Sequence, residues 1–225
     1  FSDNFAQSVA IEGDIIAIGA NGLDACASDR CRELGRVFIF RSSDGGATYP
    51  YQSYLNPTGA DGQTSWNNFG NALAIQGDLL VIGSFADSGT TGSLAGAALI
   101  WRTTNGGASY GQVRKLTSSD LANGDSFGRS VAIDGTTVVV GANGDDDDGS
   151  NSGSAYVYRT DDDWATHTEI KLTASDAAAG DGFGYSVAID GGTIVVGAYE
   201  YYGSAYVFST SDGGATYGQV AKLTA

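Results

Sequence analysis

The sequence predicts an all-β protein, a β-propeller built from four-stranded antiparallel blades, and three observations predict this fold. One sixteen-residue phrase recurs four times, strand-like segments follow it in the same order each time, and the composition suits strands. The 225 residues include 34 Gly, 12 Tyr and 9 Phe, and only 16% are charged. Such a mixture favours strands and tight turns over helices. A chain of this length can bury a substantial core.

The repeated phrase reads "FGRSVAIDGTTVVVGA" from Phe127 and "FGYSVAIDGGTIVVGA" from Phe183. Weaker copies read "FGNALAIQGDLLVIGS" from Phe69 and "FAQSVAIEGDIIAIGA" from Phe5. The copies begin 56 to 64 residues apart, a period that is typical of solenoids, propellers and arrays. We therefore expect a single repeat domain over 1–225. Its blades are predicted at approximately 1–61, 62–120, 121–176 and 177–225.

Each repeat contains four segments of strand length, which read "FGRSVAI", "TTVVVGA", "GSAYVYR" and "EIKLTA" in the third copy. The first two are joined by a two-residue turn such as Asp134-Gly135, in which glycine supplies the positive φ that the hairpin needs. The last two are joined by a loop such as "TSDGGATY" at 210–217, where an Asp or Asn side chain bonds to the following amides. Each repeat is therefore predicted to be an antiparallel meander.

The second strand of each repeat is apolar throughout instead of alternating, which indicates burial on both faces. Stacking of blades around an axis buries a sheet in this way. A β-sandwich is the alternative fold, although it would not require the same four-strand phrase in register. Both chain ends fall inside the same kind of inter-blade linker. The sequence leaves open whether the four blades close alone or belong to a longer array.

The string "FGRSVAIDGTTVVVGA…GSAYVY…KLTASDAAAGDGFG" resembles the FG-GAP repeat family, known from the β-propeller of integrin α-subunits and from many extracellular and surface proteins. The resemblance covers essentially the whole chain and is weakest in the first copy, where Phe-Ala replaces Phe-Gly. The turn at 210–217 also resembles the Asp-box of sialidase-type propellers, a structural turn without a catalytic part. The resemblance implies a propeller fold and an extracellular or cell-surface location, but no particular chemistry.

The net charge limits the classes of partner that we expect, and the cysteines bear on the cellular compartment. The net charge is −15, with 26 acidic and 11 basic residues and no basic cluster, so we expect no nucleic acid partner. No apolar run approaches the roughly 18–20 residues that span a bilayer, so we expect no membrane span. Cys26 and Cys31 are predicted to form a disulfide, with free thiols or a metal site as alternatives. A disulfide would indicate an oxidising compartment.

The resemblance to the FG-GAP family does not extend to the calcium-binding loop that some of its members carry. Calcium-binding members carry a D-x-D-x-D-G loop between the first two strands, where this chain has only "IDGTT" or its equivalent. A separate candidate is the loop "NGDDDDGSN" at 143–151, whose crowded carboxylates would favour a hard cation. Asp145, Asp147 and Asn151 are the candidate Ca²⁺ ligands. The alternative is a solvated acidic tip beside glycines.

The connections between second and third strands vary in length while the flanking strands stay fixed, and such loops commonly carry function. The shortest of them, "AYEYYG", presents Tyr199, Tyr201 and Tyr202. We predict that these rings bind a ligand or a partner, by stacking on sugar rings or anchoring a protein. The alternative is ordinary burial between blades.

The sequence gives little support for a catalytic function. General acid–base chemistry commonly uses histidine, and His167 is the only one. No GxSxG elbow occurs, and no pair of acids stands out as the carboxylates of a glycosidase. We therefore expect a non-enzymatic, secreted adhesion, matrix or structural module that binds extracellular proteins through loops and blade edges, and that could self-associate. A lectin-like glycan-binding propeller is the alternative, and a glycoside-acting enzyme is less favoured.

Overall fold

A computed structural model describes residues 3–23, 35–56, 68–87, 94–199 and 203–224, which form four separate four-stranded antiparallel sheets. The first contains β1 (Phe5–Glu12), β2 (Ile15–Ala20), β3 (Arg36–Arg41) and β4 (Tyr51–Leu55), and the second β5 (Leu73–Gln76), β6 (Leu79–Ser84), β7 (Ala97–Arg102) and β8 (Gly111–Leu116). The third contains β9 (Phe127–Asp134), β10 (Thr137–Ala142), β11 (Ser154–Arg159) and β12 (Thr168–Leu172), and the fourth β13 (Ser186–Asp190), β14 (Thr193–Ala198), β15 (Ser204–Ser209) and β16 (Gly218–Leu223). Each sheet, called blade 1 to blade 4 below, pairs its strands in chain order and falls within one of the four predicted ranges. In the part of the chain that the structure describes, no helix is long and apolar enough to cross a bilayer.

The two inner blades stack on their neighbours through both faces of their second strands, as the apolar phrase predicts. Val138, Val139 and Val140 of β10 are all fully buried. Val138 and Val140 pack against blade 2, whereas Val139 packs against blade 4. Apolar clusters of this kind join blades 1 and 2, blades 2 and 3, and blades 3 and 4. The prediction of burial on both faces is confirmed for β6 and β10, whereas alternate residues of β2 and β14, in the first and last blades, are only partly buried.

Each joint between blades is a close backbone contact built on glycine. At the joint of blades 3 and 4, Phe183 is fully buried and Gly184 lies against β10. A Cβ atom at Gly141 would lie 1.9 Å from the carbonyl oxygen of Gly184, and one at Gly153 would lie 2.1 Å from that of Phe183. Only glycine therefore allows the next Phe-Gly pair to enter. The "FG" and "GA" of the repeated phrase are the two halves of one joint.

The first strands of neighbouring blades contact one another, which places them at the common hub. The β-hairpins and the Asp-box turns lie at one end of the blades, called the turn end here. The connections between second and third strands lie at the other end together with the inter-blade linkers, and this is called the loop end. The outer faces of the array are uncovered within the described residues: Val9 of β1 is 65% exposed and Val220 of β16 is 62% exposed.

The Asp-box turns are held by the side chain of an aspartate or asparagine at their centre. In blade 1, Asp44 Oδ1 accepts the Thr48 amide at 2.9 Å and the Ser42 hydroxyl at 2.8 Å. In blade 2 the same position is Asn105, whose Oδ1 accepts the Ser109 amide at 2.9 Å. The predicted structural role of this turn is confirmed by this geometry.

Acid is expected to destabilise the protein through these turns. Hydrogen bonds from the hydroxyl and the amide of Thr48 lower the pKa of Asp44 from 3.8 to about 2, and similar donors lower the pKa of Asp162 and Asp212. Because the folded-state pKa lies below the unfolded one, this stability is present above about pH 4 and is lost as the pH falls toward 2. Thermal unfolding followed by circular dichroism from pH 7 to pH 2 measures the loss.

The matched variant replaces Asp44, Asp162 and Asp212 with asparagine, the residue that blade 2 already uses. We expect its melting temperature near pH 7 to stay close to that of the parent and its decline between pH 4 and pH 2 to be shallower. The same acid dependence in both proteins would contradict this origin.

Candidate functional site at the loop end

The loop end of blade 3 contains three carboxylates around one ammonium group. Asp145 and Asp147 follow β10, and Asp120 comes from the linker between blades 2 and 3; their carboxylate oxygens lie within 4.8 Å of one another. The Nζ atom of Lys171 on β12 lies 2.7 Å from Asp120, 3.0 Å from Asp145 and 2.5 Å from Asp147. The lysine is the counter-ion of all three.

The surroundings of this cluster keep the lysine charged. The hydroxyl of Tyr156 lies 2.8 Å from a carboxylate oxygen of Asp120 and also of Asp145. Burial disfavours ionisation of Asp120, but hydrogen bonds from Lys171 and Tyr156 outweigh it and lower the pKa of that carboxyl. Burial likewise opposes the charge of Lys171, and the three carboxylates reverse this and raise its pKa.

The structure brings together two of the three predicted calcium ligands. Asp145 and Asp147 lie in the cluster, but the contacts of Asn151 are elsewhere: its amide N–H donates to Asp146 Oδ1, and its side-chain amide donates to the hydroxyl of Ser150. Calcium binding here stays a prediction, and a cation at these carboxylates would have to displace the ammonium group of Lys171.

Asp120 and Lys171 are not among the residues predicted for this site, although a recurring feature of the sequence points to them. The string "KLTSSD" ends blade 2 and "KLTASD" ends blade 3, so that each linker aspartate can reach the lysine on the last strand of the following blade. The pair recurs between Asp176 and Lys222, whose charged atoms lie 2.6 Å apart. This ion pair therefore connects neighbouring blades.

Removing the ammonium group is expected to make the protein sensitive to cations. In Lys171→Met, three close carboxylates lose their counter-ion, which should cost about 2 kcal/mol of the free energy of unfolding. We expect Ca²⁺ to restore part of the lost melting temperature in this variant and a chelator to leave the parent unchanged. Differential scanning fluorimetry with and without Ca²⁺ measures both. A chelator that lowers the melting temperature of the parent would show instead that an ion stabilises it.

A second feature of the loop end is a stack of rings around one guanidinium group. The Cζ atom of Arg129 lies 5.3 Å from the ring centroid of Phe85 and 4.7 Å from that of Tyr185. The ring of Tyr185 lies 4.6 Å from that of Tyr199, at an interplanar angle of 42°. These four residues, which come from blades 2, 3 and 4, are called the aromatic stack below.

The aromatic stack faces outward near the hub. Tyr185 is 41% exposed and Tyr199 is 60% exposed. Tyr199 packs on the backbone of Gly182, where a Cβ atom would lie 2.5 Å from its ring. Within the described ranges, the guanidinium of Arg129 contacts these two rings and forms no salt bridge with a carboxylate.

One member of the aromatic stack, Tyr199, was predicted from the sequence. Tyr199 is exposed, as a binding role requires, whereas Tyr201 and Tyr202 lie outside the described residues, as do Cys26 and Cys31 of the predicted disulfide. Arg129 and Tyr185 were missed because they stand inside the repeated phrase, directly after Phe-Gly. That position varies: it is Gln7, Asn71, Arg129 and Tyr185 in the four blades. This variation at an otherwise constant phrase is the sequence feature that could have indicated Arg129 and Tyr185 as binding residues.

The only histidine lies at the opposite, turn end. The ring of His167 packs 5.4 Å from that of Tyr158, edge to face. Asp162, in the same Asp-box turn as His167, accepts hydrogen bonds from the amide and the hydroxyl of Thr166 and thereby stabilises the turn. That the chain is not an enzyme stays a prediction.

Four meanders stacked through a common hub define a β-propeller architecture, and solved structures share it. Over 99% of this chain, Sqt1 of Saccharomyces cerevisiae superposes with a TM-score of 0.54 at 10% identity, and Sqt1 of Chaetomium thermophilum with 0.55 at 17%. A Trypanosoma rangeli sialidase superposes over 96% with a TM-score of 0.55 at 13% identity. This chain spans 48%, 50% and 37% of those chains. At these identities the likeness shows the fold alone.

The sequence defines the family. A model of the FG-GAP repeat matches residues 1–40, 110–158 and 167–208, more than half of the chain. The chain therefore belongs to the FG-GAP repeat family, as its repeated phrase indicates. No curated protein matches it at a significant level.

Proposed function

We propose that this chain is a non-enzymatic extracellular interaction module that binds partner proteins at the loop end of its propeller. The observation that carries the proposal is the aromatic stack, in which Arg129 on β9, Tyr185 just before β13 and Tyr199 just after β14 are presented together. Arg and Tyr are the residue types enriched at the energetic centres of protein interfaces. Membership of the FG-GAP family supports an extracellular or cell-surface location.

The stack suits a partner that offers an acidic group beside an apolar surface. Arg129 can bind a carboxylate with two parallel hydrogen bonds while the flanking rings cover apolar atoms. The net charge of −15 makes such a cationic position stand out, because the rest of the chain repels acidic partners. The site is held on strand ends near the hub, so little ordering is needed on binding.

A lectin-like function is the second candidate, and the exposure of the Tyr185 and Tyr199 rings favours it. Aromatic faces stack on sugar rings as they stack on other flat apolar surfaces. The two rings already lie against each other, so the free surface is the outer face of Tyr199 together with the edges of both.

Binding of the full chain to purified extracellular-matrix proteins and to an array of defined glycans separates the two functions. We expect a matrix protein to bind and Arg129→Gln and Tyr199→Ala each to weaken it at least tenfold, which is the size of an interface hot spot. The matched controls Arg159→Gln and Tyr49→Ala change the same residue types at the turn end and should leave binding unchanged. Binding to a defined sugar alone would establish the lectin function, and blank results on both panels would overturn the proposal.

A further inference from the structure

Leu94, at the end of the connection between β6 and β7, combines an unfavourable backbone conformation with an exposed side chain. Its φ is 61°, in the left-handed region that glycine adopts freely and that asparagine and aspartate tolerate. The side chain is nevertheless 45% exposed. A bulky apolar residue at this position therefore gains neither a relaxed backbone nor full burial, and the fold alone does not account for it.

The equivalent residue of blade 3 shows that the joint does not require leucine here. Asn151 stands, like Leu94, two places before the glycine that precedes the third strand, and its φ is 52°. The carbonyl of Leu94 accepts the amide of Ser126 at 3.0 Å, and the carbonyl of Asn151 accepts that of Gly182 at 3.0 Å. The linker to the next blade thus needs the left-handed backbone at this position, which asparagine supplies with less strain.

Trp164 provides the contrast that makes Leu94 unusual. Among the described residues with a positive φ, these two are the only ones with a large apolar side chain. The indole of Trp164 is 2% exposed, so its burial offsets the strain, whereas almost half of the Leu94 side chain faces solvent. Strained residues that the fold does not need cluster at ligand-binding positions.

Two backbone hydrogen bonds connect Leu94 to the aromatic stack. Its carbonyl accepts the amide of Ser126, and the carbonyl of Ser126 accepts the amide of Arg129 at 3.1 Å across a tight turn. These bonds keep the Cα atoms of Leu94 and Arg129 within about 12 Å, the span of about three or four residues of extended peptide. Phe85 of the stack stands at the beginning of the connection that Leu94 ends.

We propose that Leu94 is a specificity-determining residue of the loop-end site, and that the partner is a protein segment with a large apolar side chain about three or four residues from a carboxylate. Arg129 pairs with the carboxylate, and Leu94 covers the apolar side chain. A protein segment supplies both groups at this separation, whereas a glycan offers mainly hydroxyl groups, which gain nothing from an isobutyl group. This inference rests on the proposed function and narrows the partner.

Selection of a phage-displayed library of random linear peptides on the full chain tests this specificity. We expect the enriched peptides to carry an acid and a large apolar residue at that separation. The same selection on Leu94→Asn should keep the acid and lose the apolar preference, and selection on Arg129→Gln should lose the acid. An enriched peptide should bind Leu94→Asn about fivefold more weakly than the parent.

The matched control is Val113→Asn, which changes an exposed apolar residue on the outer strand of the same blade and should leave peptide binding unchanged. An acid without an apolar preference in the parent selection, or an apolar preference that persists in Leu94→Asn, would overturn the role of Leu94 and leave the proposed binding function standing. No enrichment, or enrichment of peptides without an acid, would overturn both.

Thermal unfolding of Leu94→Asn distinguishes a binding role from a structural one. Because asparagine tolerates the left-handed backbone, we expect this variant to melt no lower than the parent, and up to about 3 °C higher. A lower melting temperature would show that the leucine stabilises the fold, and the inference would then fail whatever the peptides show.

Discussion

Gly141→Ala is expected to lower the free energy of unfolding by about 3 kcal/mol, the upper range for forcing extra volume into a packed interior. The new methyl group would lie 1.9 Å from the carbonyl oxygen of Gly184, and a backbone oxygen cannot move aside as a side chain can. Blade 4 must therefore separate from blade 3 at the hub. Urea unfolding followed by circular dichroism measures the loss.

The matched control for Gly141→Ala is Gly197→Ala, which changes the same position of the repeated phrase on the uncovered face of blade 4. Its methyl group meets only the movable hydroxyl of Ser186. We expect this variant to stay within about 1 kcal/mol of the parent. Equal losses in the two variants would show that the cost arises within the strand and not at the joint between blades.

Trp164→Ala is expected to cost about 3–5 kcal/mol, the usual range for removing a large buried aromatic side chain. Trp164 replaces the second glycine of the Asp-box in blade 3, and it is only 2% exposed in the cluster that joins blades 2 and 3. It keeps the positive φ of the glycine that it replaces, 69°. Burial of the indole outweighs the strain of this backbone.

A second substitution at this position separates strain from burial. Trp164→Gly removes the same side chain but accepts the positive φ without a steric cost, so we expect it to be about 1 kcal/mol less destabilising than Trp164→Ala. Thermal unfolding of both variants gives the difference. A glycine variant that is the less stable of the two would contradict the assignment of strain to this residue.

The fold could be predicted because the sequence features that specify it occur in every repeat. The glycine at the joint and the apolar second strand each occur four times, so the pattern can be recognised even when one copy departs from it. The departures were harder to interpret: the sequence shows that Phe5-Ala6 breaks the phrase, but only the packed joints show what a methyl group would meet there. Trp164 likewise looks like an irregular turn in the sequence, whereas its burial depends on the neighbouring blade.

The candidate site was predicted only in part, because its members are close in space and distant in the chain. Arg129 contacts Phe85 across one joint and Tyr185 across the next, and no local pattern encodes such a set. The acidic loop was conspicuous in sequence, but Lys171, which neutralises it, lies on a strand 24 residues beyond Asp147. Repeat comparison identifies the scaffold well and identifies binding residues only where a position varies.

The base of each long connection between second and third strands is closed by a backbone hydrogen bond. The glycine before the third strand donates its amide to the start of the connection: Gly35 to Leu23 at 3.1 Å, Gly96 to Asp87 at 2.9 Å and Gly153 to Asp145 at 2.9 Å. The residue before that glycine lies inside the clamp and accepts the amide of the incoming phenylalanine: Ala95 accepts that of Phe127 at 2.9 Å, and Ser152 accepts that of Phe183 at 3.0 Å. A foreign epitope grafted into one of these connections would therefore have to leave this last residue in place, because the next blade is held through it.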